Sequence, residues 1–183
     1  MCDVMIISDT HFTHKNILTF MLPNGSRMRP FASVEEMDEL MVNNWNRVVS
    51  PRTKVYHLGD VVMHKRYLPI MARLNGRKRL VRGNHDSDDI PTREYLKYFE
   101  EVYGSRLIAN LLMTHIPVHP ESIKPTWTNI HGHTHSNQGA LALGPKYFNV
   151  CVEMINYTPI SLEDLTHRIK VQQWQYDETM RGV

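Results

Sequence analysis

Five separated segments of the chain end in side chains that commonly bind metal ions. Each segment follows a short apolar run that predicts a β-strand. The side chains are Asp9, His11, Asp60, Asn84, His85, Asp86, His115, His133 and His135. Mixed oxygen and imidazole ligands suit divalent transition metals such as manganese, iron, nickel or zinc. Because the set is larger than one ion can use, the sequence predicts a two-metal hydrolytic centre.

Each fragment has a simpler interpretation when it is taken alone. An Asp-x-His pattern such as Asp9-Thr10-His11 occurs by chance, and Gly59-Asp60 is typical of a turn. Gly83-Asn84-His85-Asp86 also consists largely of turn-forming residues. The alternating imidazoles of His131-Gly132-His133-Thr134-His135 need partners if they lie on an interior strand end. The joint occurrence of the fragments, in order and after predicted strands, favours a metal site over separate turns.

The elements around these fragments predict how they come together. Apolar runs at residues 4–8, 54–58 and 78–81 predict strands that lead into the first three fragments. Strand ends in an open α/β sheet converge on one crevice. Between the first two strands, Ser33 and Glu36 predict a capping box that opens a helix. The second half of the chain predicts short clustered strands, a last helix over residues 161–169 and a closing strand over residues 171–175. This order favours two packed sheets with helices outside.

Length and composition restrict the class of protein. At 183 residues the chain predicts one domain over residues 1–183. A net charge of +2 does not indicate electrostatic binding to nucleic acid or to an anionic membrane. The sequence lacks a signal peptide pattern and an apolar run of membrane-spanning length, which predicts a cytoplasmic protein without a membrane partner. Cys2 and Cys151 are predicted to be reduced thiols, because no CxxC pair or disulfide framework is present.

The ordered fragments resemble the motifs of the calcineurin-like metallophosphoesterase superfamily. The resemblance rests on Asp9-x-His11, Gly59-Asp60, Gly83-Asn84-His85-Asp86, His115 and Gly132-His133-x-His135, and it covers most of the chain. The loop Arg29-Pro30-Phe31 and the segment Asn44-Trp45-Asn46 are also similar to a compact branch of the superfamily from bacteria and phages. The resemblance implies an α/β (α+β, four-layer) fold. In that fold two mixed β-sheets pack as a sandwich flanked by helices, and the metal site lies at the C-terminal ends of the strands.

The resemblance also implies a role for each motif residue. One metal would be held by Asp9, His11, Asp60 and His135. The other would be held by Asp60, Asn84, His115 and His133. Asp60 would bridge, as its two carboxylate oxygens allow. The implied cofactors are two divalent transition-metal ions, with manganese preferred and iron, nickel or zinc as alternatives. A hydroxide between the ions would attack phosphorus in line.

Several residues are assigned roles beside the metal ligands. The resemblance implies that His85 protonates the leaving oxygen and that Asp86 orients its imidazole. His14, Lys15 and Arg29 are candidate substrate contacts, and an exposed helix start is the alternative for the first two. The remaining histidines outside the motifs are interpreted as incidental: His57, His64, His119 and His167.

The implied activity is that of a metal-dependent phosphoric ester hydrolase, with a phosphodiesterase preferred. A phosphoprotein phosphatase is disfavoured, because Gly59-Asp60 is not followed by the Asp-Arg-Gly run of that class. The expected substrate is a small phosphate ester or a nucleotide-type phosphodiester. One alternative is a nuclease on single-stranded or structured nucleic acid, slightly supported by Trp127 and the basic run at residues 77–79. Another is a non-catalytic binding scaffold of the same fold. The oligomeric state stays open.

Overall fold

Two mixed β-sheets form the centre of the fold in a computed structural model that describes residues 3–86, 90–136 and 143–182. The larger sheet has the strand order β4-β3-β2-β1-β9. Its strands are β1 (Val4–Ile7), β2 (Lys54–His57), β3 (Arg77–Val81), β4 (Glu101–Tyr103) and β9 (Ile160–Ser161). The first four run parallel, and β9 pairs antiparallel with β1.

The smaller sheet has the order β5-β6-β7-β8. Its strands are β5 (Arg106–Ile108), β6 (Leu111–Met113), β7 (Thr128–His131) and β8 (Tyr147–Asn149). The strands β6, β7 and β8 run parallel, whereas β5 is antiparallel to β6. The two sheets meet where the backbone of Ser8 pairs with the chain after β8. Its N–H donates to the carbonyl of Val150 at 3.0 Å, and its carbonyl accepts from Val152 at 3.1 Å. The ends of β1 and β8 therefore lie side by side.

Within the described ranges, the α-helices beside the sheets are α1 (Val34–Val48), α2 (Thr92–Tyr95) and α3 (Leu162–Arg181). The described residues also form 3₁₀ segments at Lys15–Thr19, Lys65–Arg73, Pro120–Ser122 and Val152–Ile155. Helix α1 begins as predicted, because the Ser33 hydroxyl accepts the backbone N–H of Glu36 at 3.1 Å. The Glu36 carboxylate reaches back to the N–H of Ala32 at 2.8 Å, one residue before the usual partner in a capping box. Met37 and Trp45 on its inner face are buried.

The predicted sandwich of two mixed sheets with helices is confirmed, and one element assignment is wrong. The predicted strand over residues 171–175 is part of α3, which runs without a break from Leu162 to Arg181. No glycine or proline interrupts residues 162–181, so the helix capped by Ser161 continues through Val171. The segment Lys65–Arg73 is a 3₁₀ helix and contains Pro69, which has no N–H to give to an α-helical ladder.

The hydrophobic core lies between the sheets and under α1. Its strand residues are fully or almost fully buried and include Ile6, Ile7, Val55, Leu80, Val81 and Ile130. Among the described residues, none of the helices has the length and hydrophobicity of a transmembrane segment. Cys151 is a buried free thiol, as predicted, and Cys2 lies outside the described residues.

Candidate metal centre

The predicted metal ligands gather at the C-terminal ends of strands from both sheets. Asp9 and His11 follow β1, Asp60 follows β2, and Asn84 follows β3. The remaining three ligands follow two strands of the smaller sheet: His115, His133 and His135. Within the described residues, two groups made up of these ligands have donor atoms that all lie within 4.8 Å of one another: Asp9 with His11 and His135, and Asp60 with His115 and His133. Each group belongs to one of the two ligand sets that the resemblance implies.

Asp60 belongs to the second group and also faces the first. One carboxylate oxygen, Oδ1, accepts the backbone N–H of His85 at 3.0 Å. The other, Oδ2, lies 3.6 Å from Nε2 of His11 and 3.4 Å from Nε2 of His115. One oxygen is thereby held by the backbone while the other faces an imidazole of each group. This is the placement that a carboxylate needs to serve both metal positions.

The first group contains buried polar atoms without partners. Oδ2 of Asp9 accepts the N–H of His133 at 2.9 Å and the thiol of Cys151 at 3.2 Å. Among the described residues, Oδ1 has no hydrogen-bond partner, and neither ring nitrogen of His11 has one. That Oδ1 atom lies 3.8 Å from Nε2 of His11 and 3.9 Å from Nε2 of His135. Buried polar atoms are nearly always paired in folded proteins, so this convergence of acceptors fits a bound cation.

Near the second group, too, two acceptor atoms face each other. His115 hydrogen-bonds through Nδ1 to the carbonyl of Leu58 at 2.8 Å, and its Nε2 lies 2.9 Å from Oδ1 of Asn84. A hydrogen on Nδ1 leaves the lone pair of Nε2 facing another acceptor, which requires a proton or a cation between them. Burial lowers the pKa of His115, but the carboxylates of Asp60 and Asp9 raise it to about 9. In the absence of a cation, a proton therefore takes this position.

The backbone of the ligand residues is strained. Five of them adopt left-handed φ angles: Asp9 (58°), His11 (46°), Asp60 (56°), His133 (67°) and His135 (48°). Each such residue costs about 1–3 kcal/mol, and this kind of strain clusters at functional sites. The left-handed turn lets the chain double back at a strand end, so side chains two residues apart reach the same crevice.

Two glycines permit the close approach of the fragments. A Cβ atom at Gly83 would overlap Oδ1 of Asp60, and one at Gly132 would overlap Oγ of Ser8 and Oδ2 of Asp9. Any side chain at either position would push a predicted ligand out of place. The glycines within Gly83-Asn84 and Gly132-His133 are therefore required by packing around the ligands, beyond any role in a turn.

Glu153 supports the centre and was not identified from the sequence. Its Oε1 atom accepts a hydrogen bond from Nδ1 of His135 at 3.0 Å and another from Nε of Arg29 at 2.7 Å. Burial raises the pKa of Glu153, but the charge of Arg29 and the hydrogen bond from His135 hold it below its usual range. The bond to Nδ1 leaves Nε2 of His135 free to face Asp9. Glu153 belongs to no recognisable motif, so only the fold reveals it.

His57 is also part of the support, so its interpretation as incidental is wrong. The ring is fully buried, its Nδ1 accepts the N–H of Gly59 at 3.2 Å, and its Nε2 donates to Oγ1 of Thr10 at 3.0 Å. Oγ1 of Thr10 donates in turn to the carbonyl of Val61 at 3.0 Å. Burial lowers the pKa of His57 to about 3, so the ring is neutral. Its position two residues before Gly59-Asp60 is the signal that could have identified it.

Asp86 does not orient His85, contrary to the prediction. Oδ2 of Asp86 accepts the N–H groups of Asp60 at 2.8 Å and Gly83 at 2.9 Å. Oδ1 accepts the N–H of Val61 at 3.1 Å and the hydroxyl of Tyr95 at 2.9 Å. Among the described residues, the structure shows no hydrogen bond between the carboxylate of Asp86 and the imidazole of His85. The fully buried carboxylate instead ties the turn at Asp60 to the turn at Gly83.

Arg29 is not a substrate contact either. Its side chain is fully buried. Besides Glu153, the guanidinium donates to the carbonyl of Thr10 at 2.8 Å and to that of Asp9 at 2.5 Å. It therefore stabilises the loop that carries Asp9 and His11 from behind. The sequence could not distinguish this buried arginine from a phosphate-binding one.

His14 and His85 line a cavity beside the first group, whereas Lys15 is exposed and absent from its lining. The cavity has a volume of about 300 Å³ and also contacts His11 and His135. The ring centroids of His85 and His11 are 5.7 Å apart. Burial and the neighbouring histidine His11 lower the pKa of His14 to about 4. The structure therefore places His85 beside the predicted metal ligands and outside them.

Comparison with known proteins adds a family and two relatives. The profile of the calcineurin-like phosphoesterase family matches residues 3–177. An uncharacterized protein of Methanocaldococcus jannaschii is 34% identical over 170 residues, which cover 87% of each chain. The crystal structure of a protein of unknown function from Aquifex aeolicus matches with a TM-score of 0.71 and 28% identity. The match covers 91% of this chain and 99% of the Aquifex chain.

Proposed function

Because the chain belongs to the calcineurin-like phosphoesterase family, we propose that it is a binuclear metal-dependent phosphodiesterase. The main support is Asp60, whose Oδ2 atom faces His11 at 3.6 Å and His115 at 3.4 Å. A single carboxylate oxygen between two imidazoles, each from a separate ligand group, suits a pair of metal ions better than one.

The donor set fits two divalent transition metals, with manganese preferred and iron, nickel or zinc as alternatives. Asp9, His11 and His135 would hold one ion, His115, Asn84 and His133 the other, and Asp60 both. Bound there, such ions would lower the pKa of a water molecule and neutralise charge on the phosphate oxygens. The unpartnered atoms Oδ1 of Asp9 and Nε2 of His11 are the specific features that this arrangement would satisfy.

Other residues of the site transfer a proton or hold the ligands in place. His85 extends into the 300 Å³ cavity, where its imidazole donates a proton to the leaving oxygen. Its backbone N–H is held by Oδ1 of Asp60, so the acid and the bridging carboxylate keep a fixed relation. Glu153 orients His135, and Asp86 holds the two turns that bear Asp60 and Gly83.

The proposed substrate is a small phosphate ester or a nucleotide-type phosphodiester, acted on in the cytoplasm. A nuclease would be favoured by activity that weakens steeply with salt, because counterions compete for phosphate contacts. A non-catalytic scaffold is disfavoured by the complete donor set and by the retention of His85. Of the possible partners, a small phosphate ester fits the near-neutral charge of +2 better than nucleic acid does.

An assay of purified protein with manganese, iron, nickel or zinc tests the proposal. Bis-p-nitrophenyl phosphate and p-nitrophenyl phosphate should both be tried, and the diester should be hydrolysed faster. Asp60→Asn should lower kcat by more than about 100-fold and reduce the metal content measured by elemental analysis. Asp3→Asn is the matched control, because Asp3 is exposed and precedes β1. If no metal supports turnover and Asp60→Asn retains the wild-type metal content, the proposal is wrong.

A further inference from the structure

Among the described residues, two cavities are each lined by two of the predicted metal ligands. The smaller, of about 300 Å³, is lined by His11, His14 and His85 among others. The larger, of about 770 Å³, is lined by His133 and Thr134 among others. Phe20 and His135 contribute to both cavities, so the two are adjacent and meet at the ligands. A phosphate at the centre would therefore have room for one substituent in each of these two cavities.

The larger cavity is apolar away from the histidines. Its outer walls consist of Phe20, Met21, Leu22, Pro23, Met28, Pro117 and Leu143. Met21 is 58% exposed and Phe20 is 49% exposed, which is unusual for large apolar side chains grouped at one cleft. Methionine is flexible and polarizable, so Met21 and Met28 can adapt to a flat or irregular apolar group. Within the part of the chain that the structure describes, no lysine or arginine lines this cavity.

We propose that the substrate is an asymmetric phosphodiester whose apolar or planar arm occupies the larger cavity. The smaller leaving arm occupies the cavity beside His85. This inference rests on the proposed phosphodiesterase function and specifies its substrate class. The larger cavity is continuous with the candidate metal centre, because His133 and His135 line it. A phosphate bound at these residues would direct one ester group along the apolar wall.

The direction of cleavage follows from the position of His85. This imidazole lines the smaller cavity and not the larger one. A water oxygen bonds to phosphorus, and the bond from phosphorus to the leaving oxygen breaks. The leaving oxygen takes the proton of His85, the proton lost by the water passes to solvent, and His85 regains a proton from solvent. The products are an alcohol from the smaller arm and a phosphomonoester that retains the apolar arm.

The same geometry disfavours a nucleic-acid strand. Phosphates that flank the scissile one would lie against Met21, Leu22 or Pro117 without a cationic partner from the described lining. Leaving a phosphate against an apolar wall is unfavourable, because its charge loses hydration without gaining a counterion. A diester that carries a single phosphate avoids this penalty.

A series of diesters with one leaving group isolates the contribution of the larger cavity. Dimethyl, benzyl methyl and 2-naphthylmethyl methyl phosphate share methanol as the leaving group and differ only in the retained arm. With the manganese-loaded protein, kcat/KM should rise about tenfold or more from dimethyl to benzyl methyl phosphate. Met21→Ser should reduce that preference several-fold. Met180→Ser, at a methionine 60% exposed on α3 and outside the cavity, should leave it unchanged.

Two further measurements separate the possible failures. Binding of phenylphosphonate and methylphosphonate, measured by calorimetry on the metal-loaded protein, should favour the phenyl compound even where turnover is slow. Benzyl methyl phosphate should give benzyl phosphate and methanol, and methyl phosphate as the product would overturn the assignment of the arms. Equal kcat/KM and equal phosphonate binding across each series would overturn the inference while leaving the phosphodiesterase function intact. Absence of turnover on every ester would instead contradict the proposed function, and phosphonate binding would still decide the role of the cavity.

Discussion

The Oε1 atom of Glu153 lies 3.0 Å from Nδ1 of His135, inside the core and behind the metal centre. A carboxylate in this position selects the ring tautomer in which Nδ1 carries the hydrogen, and it makes Nε2 a better metal ligand. Glu153 is held in turn by Arg29, at 2.7 Å from Nε to Oε1. The chain thus stabilises a ligand at the surface of the crevice through two charged residues that the solvent does not reach.

Glu153→Gln should weaken metal binding by about 10–100-fold, because the amide keeps the shape but loses the charge that orients His135. Calorimetric titration of the metal-free variant with manganese or zinc measures this change. Glu163→Gln, at an exposed position in the first turn of α3, is the matched control. An unchanged affinity in Glu153→Gln would show that the tautomer of His135 is set by other contacts.

Arg29→Met should lower the free energy of unfolding by about 3–5 kcal/mol, because it leaves the buried charge of Glu153 without its partner. Urea unfolding followed by tryptophan fluorescence measures the effect. Arg181→Met removes an exposed ion pair with Glu178 on α3 and should change stability by less than about 0.5 kcal/mol. Unchanged stability together with a raised KM would restore Arg29 as a substrate contact.

His57 should make the metal-free protein less stable in mild acid. Burial lowers the pKa of His57 from an ordinary value of 6.5 to about 3. Between these values the unfolded chain binds a proton that the folded chain does not. The contribution of His57 to the free energy of unfolding is therefore complete above pH 6.5. It falls as the pH falls, by up to about 1.4 kcal/mol per pH unit.

His57→Gln should flatten this dependence, because the amide can keep both hydrogen bonds without titrating. Unfolding measured between about pH 5 and about pH 6.5 avoids most of the carboxylate titrations of the unfolded chain. His167→Gln, at an exposed position on α3, should retain the wild-type slope. Equal slopes in His57→Gln and the wild type would contradict the prediction.

Metal binding at neutral pH should release a proton from His115. Because the carboxylates of Asp60 and Asp9 raise the pKa of His115 to about 9 despite its burial, the metal-free ring is protonated at pH 7. A cation needs the lone pair of Nε2, so the affinity for metal should increase with pH up to about that value. Calorimetry in buffers of different ionisation enthalpy counts the released protons.

His115→Gln should bind metal more weakly and release close to one proton fewer than the wild type. His119→Gln changes an exposed histidine outside both ligand groups and should release the wild-type number. Proton release that is the same in His115→Gln and the wild type would assign the titrating group elsewhere.

His85→Asn should slow the release of alkoxides by about 10²–10⁴-fold, because these poor leaving groups need a proton. The loss should be much smaller for p-nitrophenolate, and the metal content should stay at the wild-type level. His14→Asn, in the same cavity, should not show this dependence on the leaving group. An equal loss for both kinds of leaving group in His85→Asn would assign this residue a role in binding or position.

Much of the fold was predictable because strand and helix signals are local. The apolar runs before Asp9 and Asp60 and the cap at Ser33 are signals between neighbours in the sequence, and the order of these elements predicted two packed sheets with helices outside. The end of α3 was predicted wrongly, since a short run around Val171 carries the same local preference for a strand as for a helix. Only the continuity of the preceding helix decided between them.

The sequence by itself determined which residues carry metal-binding chemistry and in which order they follow the strands. It identified Asp9, His11, Asp60, His115 and the other candidate ligands because such side chains rarely recur after successive strands without a shared role. The tertiary structure alone decided which charged residues face the crevice and which support it from behind. Arg29, Asp86 and Glu153 have side chains equally suited to either place, and burial and hydrogen bonding across distant segments assigned all three to the support. The same packing formed the apolar cavity from loops on both sides of the centre, where residues far apart in the chain meet.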